Sequence, residues 1–382
     1  MKLKMSKIVP IMLMLILGLF ALTGCGSDNS EGKANQSQLT DATDGEKTIV
    51  DQNGRTVEIP EKMERVVTGR ILPFPAVYYL ASGSCEELVG IHPASKSAAE
   101  NSMLKKLAPE ILKAQTGFVE GKDINVEELL KLNPDLVYLY GDVGNNVKKM
   151  DEVGVPAVAI QTMKVANGDS LETLNSWLDL LGQIMDKQER ADEIITYGHK
   201  TQAMIDEKLK KVPQTERPEA LMIFRHSEKE IEVSGSGFFG HHWLLATGAQ
   251  DVAEEIKVKA KVNMEQIYNW NPEIIYITNF TETQSEDLIN NTIKGQDWSK
   301  IKAVQEGKVY KIPLGIYRWF PPSGDTPLML KWLAQKNNPQ LFSDYRIEDE
   351  ISDYYSRFYN YNLSDEEIEM ILNPVRAAAK GY

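Results

Sequence analysis

Cysteine is almost missing. Two residues of that type, Cys25 and Cys85, occur among 382, too few for a disulfide framework. Histidine is scarce as well, with five, so a site of several converging imidazoles has little to draw on. The chain contains no H-E-x-x-H, G-x-S-x-G, P-loop or C-x-x-C pattern. Those absences remove common zinc-protease, serine-nucleophile, nucleotide and dithiol signatures, and a metal-dependent hydrolase stays only as a rival of another class. A positive excess is lacking too. Against 55 Asp+Glu stand 42 Lys+Arg, a formal net charge of −13. A chain this acidic lacks the basic stripe that phosphate backbones require, so no nucleic-acid partner is expected. Apolar residues at 42% and charged residues at 25% suit a soluble globular protein and exclude a polytopic membrane protein. The length fits two or three folding units.

What is present begins with an address. Lys2, Lys4 and Lys7 precede the apolar run Ile8–Leu22. At about 15 residues the run is short for a spanning helix, which needs about 20, but has the charge and length of a secretory signal. It ends in Leu22-Thr23-Gly24-Cys25, which resembles the lipobox of bacterial lipoproteins. That resemblance implies cleavage after residue 24 and diacylation of Cys25, and two acyl chains anchor stably. Residues 25–46 are rich in Ser, Asn, Asp, Gly and Gln and show no apolar face, so a flexible tether is expected. The expected location is the cell envelope, outside the cytoplasmic membrane. Cys85 then has no intramolecular partner and reads as a small buried thiol.

The body contains a duplication. Residues 124–141 (INVEELLKLNPDLVYLYG) parallel residues 262–279 (VNMEQIYNWNPEIIYITN). Asn125, Glu127, Asn133, Pro134 and Tyr138 match Asn263, Glu265, Asn271, Pro272 and Tyr276. Each copy reads as a short amphipathic helix, an Asn-Pro stop and a buried strand. Two such copies predict two similar α/β lobes, over 47–168 and 212–340. Between them, apolar residues recur at helical spacing over 169–211, from Leu171 through Trp177 and Ile184 to Ile195. A single helix of about 40 residues there would reach about 60 Å and serve as a rigid spine. Residues 341–382 read as a helical extension rich in Tyr and acids.

Three stretches carry a family resemblance: the opening hairpin TIVDQNGRTVEIPEKMERVV, the element INVEELLKLNPDLVYLYG, and QEGKVY leading into a strand and loop. With the lipobox they look like the class III, helical-backbone family of ABC-importer substrate-binding proteins, the siderophore and cobalamin branch above all. The resemblance spans roughly residues 48–340. It implies a non-enzymatic, monomeric protein with no intrinsic cofactor. It would capture a small-molecule metal chelate (Fe or Ni) and hand it to an ABC permease and its ATPase. A ferric siderophore is the first expectation, and nickel–histidine, haem and cobalamin are the alternatives. Docking on the permease would use an acid on each lobe, with Glu100 or Glu110 on the first and Glu254 or Glu255 on the second.

Four loops at strand ends hold the chemistry, since open α/β sheets bind ligands outside their carboxyl ends. Arg70 follows the strand RVVT, where a guanidinium costs desolvation unless it meets an anion. Arg225 and His226 follow LMIF in the corresponding place of the second lobe. Two facing arginines would suit an anionic chelate. In GSGFFGHHWLL, residues 235–245, a glycine turn could offer N–H groups to an anion. His241 and His242 lie about 100° apart on a helical turn, so at most one faces the cleft, and His242 is the candidate metal ligand. In PLGIYRWFPPSGD, residues 313–325, Tyr317, Arg318 and Trp319 occupy the place where siderophore-binding relatives carry an aromatic contact. A Tyr317 phenolate would suit Fe(III), and an aromatic face a catechol or corrin.

Overall fold

The computed structural model describes residues 47–141 and 145–379. The signal segment, Cys25 and the tether lie outside the described residues. The opening hairpin pairs Lys47–Val50 with Thr56–Ile59. Asp51 shapes its turn by accepting the Asn53 and Arg55 N–H groups at 2.9 Å each.

The first lobe carries four parallel strands: β1 (Val66–Thr68), β2 (Leu88–Gly90), β3 (Leu136–Tyr140) and β4 (Ala157–Ile160). Their order is β2-β1-β3-β4. Helix α1 (Phe74–Ser82) follows β1. In the second lobe, β5 (Glu219–Ser227), β6 (Glu230–Ser234), β7 (Gln250–Asp251), β8 (Lys259–Val262), β9 (Ile274–Ile277) and β10 (Val309–Lys311) form one sheet. Its path runs β8-β6-β5-β9-β10, with β7 against β5. The pairs β5/β9 and β9/β10 are parallel, while β5/β6 and β6/β8 are antiparallel. The two lobes are therefore alike in their parallel portions and differ by this antiparallel hairpin edge.

The duplicated element closes as its sequence predicts. Asn125 and Asn263 cap the two short helices by accepting N–H bonds from Glu128 and Gln266. Asn133 and Asn271 end them with φ of 45° and 41°, the left-handed stop that asparagine tolerates. In the strands that follow, alternate residues divide between two cores. Leu136, Tyr138, Ile274 and Tyr276 enter a central core that also takes in the joining helices, while Val137, Leu139, Ile275 and Ile277 face the outer core of their own lobe.

The lobes are joined by long helices, but not by one rod. The apolar periodicity of residues 169–211 continues across a break: α2 (Ser170–Met185) stops at Asp186 with φ 55°, and α3 (Gln188–Leu209) follows. They pack as an antiparallel hairpin, in which a Cβ at Gly182 would fall 2.9 Å from Ala191 and one at Gly198 2.7 Å from Leu171. The 22 residues of α3 span about 33 Å. Near its start Arg190 donates to Leu80 O of the first lobe, and Leu209 at its end packs beside Gly248 of the second.

The chain continues through α4 (Phe239–Ala246), α5 (Thr326–Asn337), α6 (Ile347–Tyr359) and α7 (Asp365–Leu372). No helix among the described residues is long and apolar enough to cross a membrane.

Candidate functional site

A cavity of about 590 Å³ opens between the lobes at the carboxyl ends of β1, β3 and β5. Its two sides differ. The second lobe supplies an aromatic wall: Phe224 from β5, Phe238 and Phe239 at the start of α4, Phe280 after β9, then Tyr317 and Phe320 from the loop after β10. The five phenylalanines form one cluster, with Phe224 5.1 Å from Phe280, 5.3 Å from Phe238 and 5.6 Å from Phe320 between ring centroids. Trp177 of α2 also lines the cavity, its Nε1–H fixed on Gln161 O at 2.8 Å.

The first lobe supplies charge and polarity. Arg70 and Lys122 line the cavity and are exposed; Asp123 is the one acid on the wall among the described residues. Thr162 donates to the Tyr140 hydroxyl at 3.2 Å beside them. His92 caps the helix Pro93–Glu100, its Nδ1 accepting the Ala94 N–H at 3.1 Å. Nδ1 is thus the acceptor, and a neutral ring carries its proton on Nε2. Burial, and then the neighbouring Arg70 charge, push the His92 pKa down to about 4. The residues before three helices line the cavity: Pro73 before α1, His92 before Pro93–Glu100 and Phe238 before α4. Each such end carries the positive pole of its helix. An acidic protein thereby presents a locally positive, ring-lined hollow.

Among the described residues, no three His, Cys, Asp or Glu side chains converge to hold a bare metal ion.

A periplasmic binding protein family model matches residues 76–314. A periplasmic solute-binding protein from Veillonella parvula superimposes with a TM-score of 0.78 at 34% identity, over 88% of this chain and 99% of that one. The chain belongs to the periplasmic binding protein family. Among curated relatives, the molybdate-binding protein MolA of Haemophilus influenzae is 25% identical over 341 residues, covering 85% of this chain and 93% of that protein. The Fe(3+)-citrate-binding protein YfmC of Bacillus subtilis is 21% identical over 306 residues, covering 80% and 89%. By fold this periplasmic binding protein is of the class III type, and its family binds solutes rather than catalysing.

The binding protein's geometry sorts the residues singled out by sequence. Arg70 and Tyr317 lie on the cavity wall. Arg225 does not. Strand alternation sends Phe224 into the cavity, and Arg225 instead sits 4.0 Å from Glu232 on β6. His226 is buried, with Nδ1 2.9 Å from Thr283 Oγ1 and Nε2 2.7 Å from Gln296 Oε1, which makes it a satisfied core histidine. The adjacent histidines of α4 both turn to carboxylates away from the wall: His241 to Asp251 at 2.9 Å, His242 to Asp169 at 3.3 Å. His242 is therefore not placed as a cavity metal ligand. Trp319 is fully buried and donates to Asp325 at 2.8 Å. Arg318 is fully buried behind the wall, its guanidinium 4.9 Å from the Phe280 ring and 5.8 Å from that of Tyr317.

The glycine turn also serves the fold. Its N–H groups are taken: Gly235 donates to Val258 O at 2.8 Å, Ser236 to Ile256 O at 2.7 Å, and Gly237 to Lys257 O. A Cβ at Gly235 would collide with the Ile256 carbonyl and one at Gly237 with the Lys257 carbonyl, so the glycines permit close backbone approach, not anion capture.

Sequence reasoning passed over His92, Lys122, Trp177 and the phenylalanine cluster. His92 carried a readable signal, a polar residue directly before a helix-opening proline. The phenylalanines carried none, because a ring that lines a cavity and a ring that fills a core look alike in a sequence.

Proposed function

We propose that this chain is the extracytoplasmic substrate-binding component of an ABC importer, lipid-anchored through Cys25, and that it captures an anionic metal chelate, a ferric siderophore first, between its lobes. The observation that carries this reading is the two-sided cavity. Arg70 and Lys122 with the two first-lobe helix N-termini at Pro73 and His92 face an apolar ring cluster across about 590 Å³. That volume falls within the range of small-molecule sites of roughly 300–1,000 Å³. The ring cluster desolvates a chelate's organic part, and the cations meet its charge. YfmC, whose name assigns it ferric citrate, supports an iron chelate. MolA supports a second reading, a molybdate-type oxyanion held at the cationic side alone.

Delivery follows by docking both lobes on the permease, whose ATPase drives release. Glu100, Glu254 and Glu255 are exposed. Glu110 is tied to the Cys85 N–H at 3.1 Å, which leaves Glu100 the freer first-lobe acid. Cys85 itself is buried.

Calorimetric titration against ferric citrate, a ferric hydroxamate, a ferric catecholate, molybdate, nickel–histidine, haem and cobalamin tests the reading. An anionic ferric chelate is expected to bind. The double variant Arg70→Ala with Lys122→Ala should weaken it by at least tenfold, about 1.4 kcal/mol, and Arg225→Ala should leave it within about twofold. Binding of molybdate alone would select the oxyanion reading. Binding of cobalamin or nickel–histidine alone, or an unchanged affinity in the double variant, would overturn the electrostatic account.

A further inference from the structure

The loop 313–325 after β10 brings Tyr317, Phe320, Pro321 and Pro322 to the cavity. It has no regular secondary structure apart from an isolated bridge between Leu314 and Arg318. A loop of this kind needs partners for its backbone polar groups, and several come from the C-terminal extension. Leu314 N–H donates to Ile371 O at 2.9 Å. The Tyr354 hydroxyl of α6 donates to Gly324 O at 2.6 Å.

The centre of the arrangement is Asp325. Its side chain is fully buried and makes no ion pair among the described residues. Four donors surround it instead. Within the loop, the Ile316 N–H reaches Oδ2 at 2.7 Å and the Trp319 Nε1–H at 2.8 Å. From α6, the Tyr355 hydroxyl donates to Oδ2 at 3.1 Å and the Tyr359 hydroxyl to Oδ1 at 2.9 Å. Burying a carboxylate is costly unless its lone pairs are met, and half of those meeting it come from the extension. Gly315 leaves room for the cluster, since a Cβ there would collide with Asp325 Oδ2 and the Tyr355 hydroxyl.

The extension is itself held at both lobes. Glu367 of α7 pairs with Lys106 of the first lobe, and Arg376 pairs with Asp287 of the second at 2.6 Å. On the joining hairpin, Arg190 donates to Phe358 O and Arg357 pairs with Glu193 at 2.8 Å.

We propose that the C-terminal extension sets the Tyr317–Pro322 part of the second-lobe wall of the cargo cavity by clamping the loop 313–325 through Asp325, so that Asp325, Tyr355 and Tyr359 are positioning residues for cargo binding. This rests on reading the cavity as the cargo site. The extension fixes where Tyr317 and Phe320 stand, and it does so from the far side of the wall without touching cargo. A segment at the end of the chain thereby sets the shape that a ligand meets.

The full-length double variant Tyr355→Phe with Tyr359→Phe removes two donors and keeps both rings. Amide hydrogen exchange across residues 314–320 should accelerate at least tenfold, with exchange in β3 unchanged. Affinity for ferric citrate, titrated well below the melting temperature, should fall at least fivefold. A purely structural role would lower the melting temperature or raise exchange evenly in both lobes, with affinity unchanged, and that result overturns the proposal. Faster loop exchange with undiminished affinity overturns it as well. Should the double variant fail to fold, Tyr359→Phe alone gives the same comparison. If the unaltered protein binds no ferric citrate, the functional reading has failed for that probe, and local against uniform exchange still decides whether the extension positions the loop.

Discussion

At the scale of single residues, the site is decided by which way a side chain leaves its strand or helix. Phe224 and Arg225 are neighbours, yet one lines the cavity and the other pairs with Glu232. The sequence ends a strand at Phe224 and reads Arg225 as loop, whereas β5 runs on to Ser227 and its alternation separates the two side chains. His92 shows the converse: a polar group with a plain local duty, capping a helix, that also faces the hollow. Its pKa is pushed down to about 4 by burial and then by Arg70, well under the ordinary imidazole value near 6.5. The unfolded chain therefore takes up this proton first. The stability His92 contributes is full above about pH 6.5 and is lost as pH falls through about 4. Nuclear magnetic resonance titration of the His92 ring should show a midpoint near 4 and a neutral Nε2–H form at pH 7; a midpoint near 6.5 contradicts the assignment. Histidines seen in the sequence as ligands, His226, His241 and His242, are held by Thr283, Gln296, Asp251 and Asp169. Imidazoles find partners wherever they are buried, and residue type does not say which partner.

At the scale of elements, the repeated helix–Asn-Pro–strand unit was plainly readable. Two copies carry the same caps and stops because asparagine and proline act through the backbone, independently of tertiary context. The joining segment was half readable. Its apolar spacing gives helix throughout, and the pattern of Ile184 and Met185 before the stop at Asp186 resumes with Ala191 and Ile194 after it. A single left-handed aspartate reverses the chain, and the periodicity conceals it because both helices bury the same kind of face. The hairpin depends on glycine where the helices touch. Gly198→Val should destabilise the protein by about 1–3 kcal/mol through overpacking against Leu171. Chemical denaturation at fixed pH measures it, and an unchanged midpoint would mean that the helices do not approach as closely as described. The same geometry makes Gly235 and Gly237 structural, although their spacing mimics a phosphate-binding turn.

At the scale of the whole molecule, one core runs from the first-lobe sheet through the joining helices to the second lobe and the C-terminal extension, including Tyr138, Trp177, Met222 and Tyr354. Lobe similarity, and a gap between the lobes at matching strand ends, followed from the duplication. The aromatic character of one wall did not, because it is assembled from three separate loops and a strand end distant in sequence. Nor did the reach of the extension, whose contacts with Asp325 join residues about thirty apart. The proposed capture requires a ferric chelate to rest between a cationic face and a ring-lined face. Diffraction at the iron absorption edge from crystals grown with ferric citrate tests this directly. An anomalous peak inside the inter-lobe cavity, bordered by Arg70, Trp177 and Phe320, is the predicted result. A peak on the outer surface of either lobe, with the cavity empty, would contradict it.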